Sequence, residues 1–294
     1  MSYNHGCDSL IISAELAKKA FVEEMNHKVK KMGLSHSNFI EPAGFPSTIE
    51  HKMSTRDMVK MAIHASGYKE LAGIWNKKSY TFNIEGNNSR EITINTTVTL
   101  PIIENDYYIY GGKTGAIWGT NEIDGYHMVL ITSAPNDRKF VIAIRGASTE
   151  EERCKDIKAS LDYAKLLLNH PEATVEGIAS DSVAVCLLPM HQSLSYEQHD
   201  IPLIYSKNAD MAGHPASVTK IMTAITALDY MKNLDGKIVI QESDITPGMG
   251  YYFEVGDIIS FRDALYSMML PSSNTSATAV ARTAGEKIVR QMNR

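Results

Sequence analysis

A chain of 294 residues that is 44% apolar and 21% charged has the composition of an ordinary globular domain and enough length to bury a substantial core. Its formal net charge of −5 and pI of about 6.1 give no electrostatic footing for nucleic acid or for an anionic membrane surface. No apolar run reaches the roughly 20 residues that span a bilayer, and the patch from Leu10 to Ala14 has Asp8 before it, Glu15 after it and no basic region ahead, so neither a transmembrane segment nor a secretory signal peptide is expected.

In chain order, residues 14 to 32 carry Leu16, Ala20, Met25, Val29 and Met32 at helical spacing, with Gly33 as a stop. Ser54 can cap a second helix that runs to about Ala65, before Gly67. Tyr80, Phe82 and Ile84 alternate with polar residues, Glu85-Gly86-Asn87-Asn88 turns, and Ile92 and Ile94 alternate again, which predicts a β-hairpin. Strands are expected over about 107 to 117, 126 to 133 and 139 to 145, the last two joined by Pro135-Asn136-Asp137. Ser148 is expected to cap a long helix whose first turn holds Glu150, Glu151 and Glu152 and which ends near Asn169-His170-Pro171.

Residues 169 to 180 then read as a connector, followed by strands near 182 to 188 and 202 to 206. A helix is expected from about Ser217 through Ile221, Met222, Ile225 and Leu228, a loop at Pro247-Gly248, and helices over 261 to 269 and 275 to 292. The mixture with antiparallel hairpins predicts an α+β fold. Cys7, Cys154 and Cys186 are odd in number and far apart, which suggests neither a zinc site nor a disulfide framework.

Three short motifs carry chemistry. In Ser217-Val218-Thr219-Lys220 the serine and the lysine lie about one helical turn apart on one face, so an amine freed of its proton by burial could activate the hydroxyl. Alone, the pattern is equally a capping serine beside a solvated lysine. Ser272-Ser273-Asn274 follows Pro271 and offers a hydroxyl for proton relay and an amide for hydrogen bonding, or simply a helix cap. Lys113-Thr114-Gly115, on an expected strand, offers positive potential, a hydroxyl for a carboxylate and a glycine that lets a ligand approach closely. Gly112-Lys113-Thr114 also matches the tail of a nucleotide-binding P-loop, but Tyr107 stands where that motif needs its first glycine, and a strand rather than a helix follows.

The three motifs together are the set shared by penicillin-binding proteins and class A β-lactamases. Around them, IPLIYSKNADMAGHPASVTKIMTAITALDYM resembles the opening of the penicillin-binding D-alanyl-D-alanine carboxypeptidase family, and VGDIISFRDALYSMMLPSSNTSA resembles its approach to the second motif. AFVEEMNHKVKKMGLSHSNFIEPAGF and MSTRDMVKMA resemble the region after that motif. INTTVTLPIIENDYYIYGGKTG resembles the approach to the third, and FVIAIRGASTEEERCKDIKASLDYA the closing strand and helix. In that family the serine motif comes first and Lys-Thr-Gly last, whereas here Lys113 precedes Ser217. Joining Arg294 to Met1 restores the family order, so the chain reads as a circular permutant.

The resemblance implies a serine β-lactamase/D,D-peptidase-like α+β fold in permuted order, forming one catalytic domain. Its expected helical lobe comprises about 1–75 and 233–294, its sheet lobe about 80–168 and 180–232, closed within a monomer rather than swapped into a dimer. It implies a serine-type D-alanyl-D-alanine carboxypeptidase of the cell envelope, acting on peptidoglycan stem peptides through an acyl-enzyme and acylated by β-lactams, with no metal or organic cofactor. Ser217 would be the nucleophile, Lys220 its base and Ser272 the proton shuttle. Asn274, Lys113, Thr114 and Gly115 would hold substrate, and the N–H groups of Ser217 and Ala116 would form the oxyanion hole. A β-lactamase or esterase of the same fold, or a catalytically silent scaffold, are the alternatives; the ExxLN string of class A β-lactamases is absent. Two departures from the family pattern stand out. The segment from Gly115 to Gly125, with Trp118 and Asp124, is longer than usual, and Glu41 replaces a different polar residue before Pro-x-Gly.

Overall fold

The computed structural model of the protein describes residues 12–45, 49–117, 125–188, 201–251 and 253–293. Three helices open the chain, α1 (Ala14–Lys31), α2 (Thr55–Ser66) and α3 (Lys69–Trp75), followed by a hairpin of β1 (Ser79–Ile84) and β2 (Arg90–Asn95). Strands β3 (Ile109–Ile117), β4 (Gly125–Ser133) and β5 (Lys139–Ala147) lead into α4 (Glu150–Leu167), then β6 (Ser182–Leu188) and β7 (Leu203–Lys207). A single 3₁₀ turn, Ala216–Val218, runs into α5 (Thr219–Tyr230). The short strands β8 (Lys237–Val239) and β9 (Ile258–Ser260) then flank a loop, and α6 (Phe261–Met269) and α7 (Asn274–Met292) follow.

The expected cap at Ser54 forms, its hydroxyl accepting from the Asp57 N–H at 3.2 Å, and Ser13 caps α1 by accepting from the Leu16 N–H. At α4 the cap lies one residue later than expected. Thr149 accepts from the Glu152 N–H at 3.0 Å, while Ser148 is engaged by the Glu152 carboxylate. Helix α3 and the three-residue strands β8 and β9 carried too short a pattern to be foreseen.

The main sheet is fully antiparallel in the order β3-β4-β5-β6-β7. Its central strands are apolar on both sides, and pleating divides them between two cores. Met128, Leu130, Phe140, Ile142, Ile144, Val183 and Val185 face Ile157 and Leu161 of α4. Val129, Ile131, Val141, Ala143, Ala184 and Cys186 join the larger core under α2 and the remaining helices. Because β6 pairs with β5 (Ile142 opposite Val185), strands from the two halves of the chain join in one antiparallel sheet. Helix α5 departs from the expected division. It falls within 180–232, assigned to the sheet lobe, yet it packs against α7, α1, α2 and α6. The reason is its composition: Ile221, Met222, Ala224, Ile225 and Ala227 are all fully buried, so the helix must be surrounded rather than laid on a surface. No helix among the described residues is long and apolar enough to cross a membrane.

The loop between β8 and β9 is anchored by a buried ion pair. Arg282 of α7 donates to both carboxylate oxygens of Asp244 at 2.9 Å and to Val239 O at 2.8 Å, with Arg282 4% and Asp244 0% exposed. Thr246, next along, bonds Asp244 O and the Thr278 hydroxyl. Removing one partner leaves the other charge buried and uncompensated, so Asp244→Ala should lower the unfolding free energy in urea by about 3–5 kcal/mol. Asp235→Ala, at the exposed pair with Arg262, should change it by less than ~1 kcal/mol. Similar losses in the two variants would contradict this reading of the anchor.

Candidate active site

Ser217 sits in the 3₁₀ turn, not in the α-helix proper, which begins at Thr219. Ala216 just before it adopts φ +48°, a left-handed conformation that a residue with a Cβ resists. The turn lifts the Ser217 hydroxyl toward the helix start, and one turn on Lys220 Nζ donates to Ser217 Oγ at 2.8 Å. The same nitrogen donates to Asn274 Oδ1 at 2.7 Å and to the Ala43 carbonyl. Lys220 is fully buried, and burial pushes its pKa down to about 7, with the nearby Glu41 charge acting in the opposite direction. Burial therefore favours the free amine near neutral pH, beside the serine hydroxyl.

The second motif arrives from the start of α7. Ser272 has φ +71°, again left-handed, and its Oγ accepts from Lys113 Nζ at 2.9 Å. Ser273 caps α7 through the Ser276 N–H, and Asn274, besides holding Lys220, donates from Nδ2 to Pro247 O at 2.7 Å. The third motif lies on β3, the edge of the sheet. Lys113 is fully buried, donates to Thr114 O and Ser272 Oγ, and is pushed well below its ordinary pKa by burial and then by the charges of Lys220 and Arg153. Thr114 Oγ1 shares a 2.6 Å hydrogen bond with Thr97 Oγ1. A Cβ on Gly115 would stand 3.0 Å from Pro215 O and 3.3 Å from Ala216 Cβ, so glycine lets the strand edge close on the nucleophile's turn.

All eight residues singled out in the sequence thus meet in one chain. Thr114, Gly115, Ala116, Ser217 and Ser272 line a single cavity of about 350 Å³. Trp118 and Asp124, in the long segment after Gly115, lie outside the described residues.

Several lining groups were not foreseen. Arg153, 2% exposed, reaches the same cavity from the first turns of α4, bonded to Glu150 at 2.7 Å and set 5.7 Å from the Tyr126 ring centroid. A cation so near the positive end of a helix works against the helix dipole, and that misplacement was the available signal. Met249 and Thr97 complete the rim through backbone paths that no local pattern announces.

The segment 41–45 braces the nucleophile from the other side. Gly44 has φ +77°, and a Cβ there would sit 2.0 Å from Ala216 O. Gly44→Ala combines left-handed strain of about 1–2 kcal/mol with that overlap. It should lower thermal stability by at least ~1 kcal/mol; a loss below ~0.5 kcal/mol would show that the turn yields freely.

Comparison with known proteins agrees with this geometry. The sequence profile described as D-alanyl-D-alanine carboxypeptidase matches residues 1–147 and 196–294. The chain is 33% identical over 102 residues to a D-alanyl-D-alanine endopeptidase of Pseudomonas aeruginosa, covering 32% of this chain and 33% of that protein. It is 40% identical over 85 residues to a D-alanyl-D-alanine carboxypeptidase of a Streptomyces species, covering 26% and 29%. Each match thus spans about a third of the relative's length. No solved structure matches the chain.

Proposed function

We propose that this chain, which belongs to the D-alanyl-D-alanine carboxypeptidase family, hydrolyses the terminal peptide bond of acyl-D-alanyl-D-alanine stem peptides through an acyl-enzyme on Ser217. The observation that carries the reading is the pairing of a fully buried Lys220 amine with Ser217 Oγ at 2.8 Å. As free base, Lys220 takes the hydroxyl proton while Oγ attacks the penultimate D-alanine carbonyl. The developing oxyanion is received by the N–H groups of Ser217 and Ala116, an arrangement worth about 2.7–4 kcal/mol per donor where it has been dissected. The proton passes through Ser272, which Lys113 orients, to the leaving amine, and D-alanine departs. Water then attacks the ester as Lys220 takes one of its protons, and Lys220 passes that proton to Ser217 Oγ as the acyl group departs, which restores both the serine and the free amine. Asn274 fixes Lys220, while Thr114 and Arg153, which line the cavity, and Lys113 beside them supply the positive, hydrogen-bonding end that a free C-terminal carboxylate needs.

The same reading places the enzyme outside the cytoplasmic membrane, as a monomer, with no metal or organic cofactor in the reaction and β-lactams as covalent inhibitors that imitate the dipeptide. It also takes the motif order as a circular permutation of the family order. Supporting this, α1 lies tightly along α7, where a Cβ on Gly285 would stand 1.9 Å from Ala17 O.

Incubation with benzylpenicillin followed by mass spectrometry tests the nucleophile. A long-lived adduct on Ser217, absent in Ser217→Ala, is expected, and its rate of formation should climb as pH rises through about 7, where Lys220 becomes the free amine. Rapid loss of the adduct with hydrolysed drug would make the protein a β-lactamase, and no adduct would make it a scaffold. Thr114→Val should slow turnover of D-alanyl-D-alanine peptides roughly 10-fold or more, the weight of a charge-assisted hydrogen bond. A neutral ester substrate should suffer much less, and equal losses would remove Thr114 from the carboxylate site.

A further inference from the structure

Glu41 is a half-buried acid beside this chemistry that the reaction steps leave unused. Its carboxylate accepts from the N–H of Ala43 at 2.7 Å and from the N–H of Gly44, closing a tight loop over residues 41–44. That loop has two outward contacts. The Ala43 carbonyl accepts from Lys220 Nζ, and Gly44 presses on the Ala216 carbonyl beside the nucleophile. Thr223 of α5 donates to Pro42 O at 2.6 Å and fixes the loop from below. We propose that Glu41 is a positioning residue for the reaction: its carboxylate clasps the turn that presents the Ala43 carbonyl to Lys220, and its negative charge steadies the Lys220 ammonium while it carries the proton within a turnover. The proposal rests on Lys220 being the base.

The charges around the pair leave Glu41 as the compensating anion. From β3, Lys113 faces Lys220 with like charge, and Arg153 of α4 stands behind Lys113. His51 sits 3.9 Å from the Glu41 carboxylate, fully buried, but its pKa is pushed down to about 3 by burial, so it is a neutral ring. It accepts from the Ile40 N–H and bonds Thr219 Oγ1 at 2.8 Å. His214, stacked on His51 at 4.9 Å, is likewise neutral, pushed down to about 4 by burial. On its far side Glu41 borders a groove where α1 presents Glu15, Lys18, Lys19 and Glu23. Burial raises the Glu41 pKa and its turn of N–H donors and Lys220 lower it, so the two groups titrate against each other.

The sign of the effect follows. Glu41 holds the Lys220 pKa up, against burial. Glu41→Gln removes the charge and keeps the shape, so Lys220 should lose its proton at lower pH. The acid limb of the benzylpenicillin acylation profile should then move down by about one pH unit or more. The plateau rate should fall as well, because one amide oxygen cannot serve both N–H groups. A brace acting only by shape would lower the plateau and leave the limb in place, and that result overturns the proposal.

Direct titration separates this from the nucleophile assignment. With 13Cε-labelled lysine, the Lys220 signal, identified by its loss in Lys220→Arg, should titrate lower in Glu41→Gln than in the wild type. In the wild-type protein it should sense two ionisations, its own and that of Glu41. A single ionisation, or an unshifted midpoint in the variant, overturns the role of Glu41 even if Ser217 is acylated normally. If the wild type forms no adduct, the reading of the site itself fails instead.

Discussion

Two lysine side chains, Lys113 and Lys220, are both fully buried, and the charge of Lys220 adds to burial in lowering the proton affinity of Lys113. Desolvated cations without a carboxylate in contact are costly, so the site cannot comfortably hold two ammonium groups at once. Everything around them answers that constraint. Carbonyl and hydroxyl oxygens, Ala43 O, Thr114 O, Ser272 Oγ and Ser217 Oγ, accept hydrogen bonds from them, and Glu41 supplies a negative charge near Lys220. Lys220 is therefore poised to be an amine, and in the proposed reaction the arriving carboxylate provides the anion that Lys113 lacks. Substrate binding and the charge of Lys113 are linked in this way.

Backbone strain is found at the same place. Among the described residues, five non-glycine positions lie in the left-handed region; Asn136, Asp137 and Asn208 are of the residue types that tolerate it, whereas Ala216 and Ser272 are not, and each adjoins or bears a hydroxyl of the site. Such conformations cost of order 1–3 kcal/mol and persist only where surrounding packing imposes them. Here Gly44 presses on Ala216 from one side and Gly115 from the other, while the cap of α7 at Ser273 fixes the far side of Ser272. The strain orients Ser217 and Ser272 toward their lysines, a placement that a relaxed helix start would not give.

The motifs were readable because they are local: Ser217 and Lys220 are three residues apart, and Lys113-Thr114-Gly115 are contiguous. The antiparallel sheet was readable as well, since β4, β5 and β6 are short apolar runs bounded by turns, and pleating alone decides which residues face α4. What escaped was settled by contacts between distant segments. The 3₁₀ turn at Ser217 replaces the expected first helical turn where Ala216 is left-handed and lies against Gly44, a residue 172 positions away in the sequence. Helix α5 follows two strands in the chain and so read as part of the sheet lobe, yet its all-round burial places it among helices. Arg153 was hidden for the same reason, lying in a run of acidic cap residues, and Glu41, visible in the sequence only as a departure from the family pattern, gains its neighbourhood to Lys220 only in the assembled fold.

The non-locality of these contacts also explains how such a site tolerates an unfamiliar order of motifs. Lys220 is bound by residues 177 and 54 positions away, and Lys113 by one 159 positions away. None of these bonds depends on the direction in which the chain runs between the elements that make them. What they require is that β3, the turn at 41–44, the start of α5 and the start of α7 converge, and the two cores under the sheet and among the helices enforce that convergence. Moving a chain break to a place outside those four elements changes the loop entropy of closing the site, which grows only slowly with loop length, and leaves its electrostatics alone.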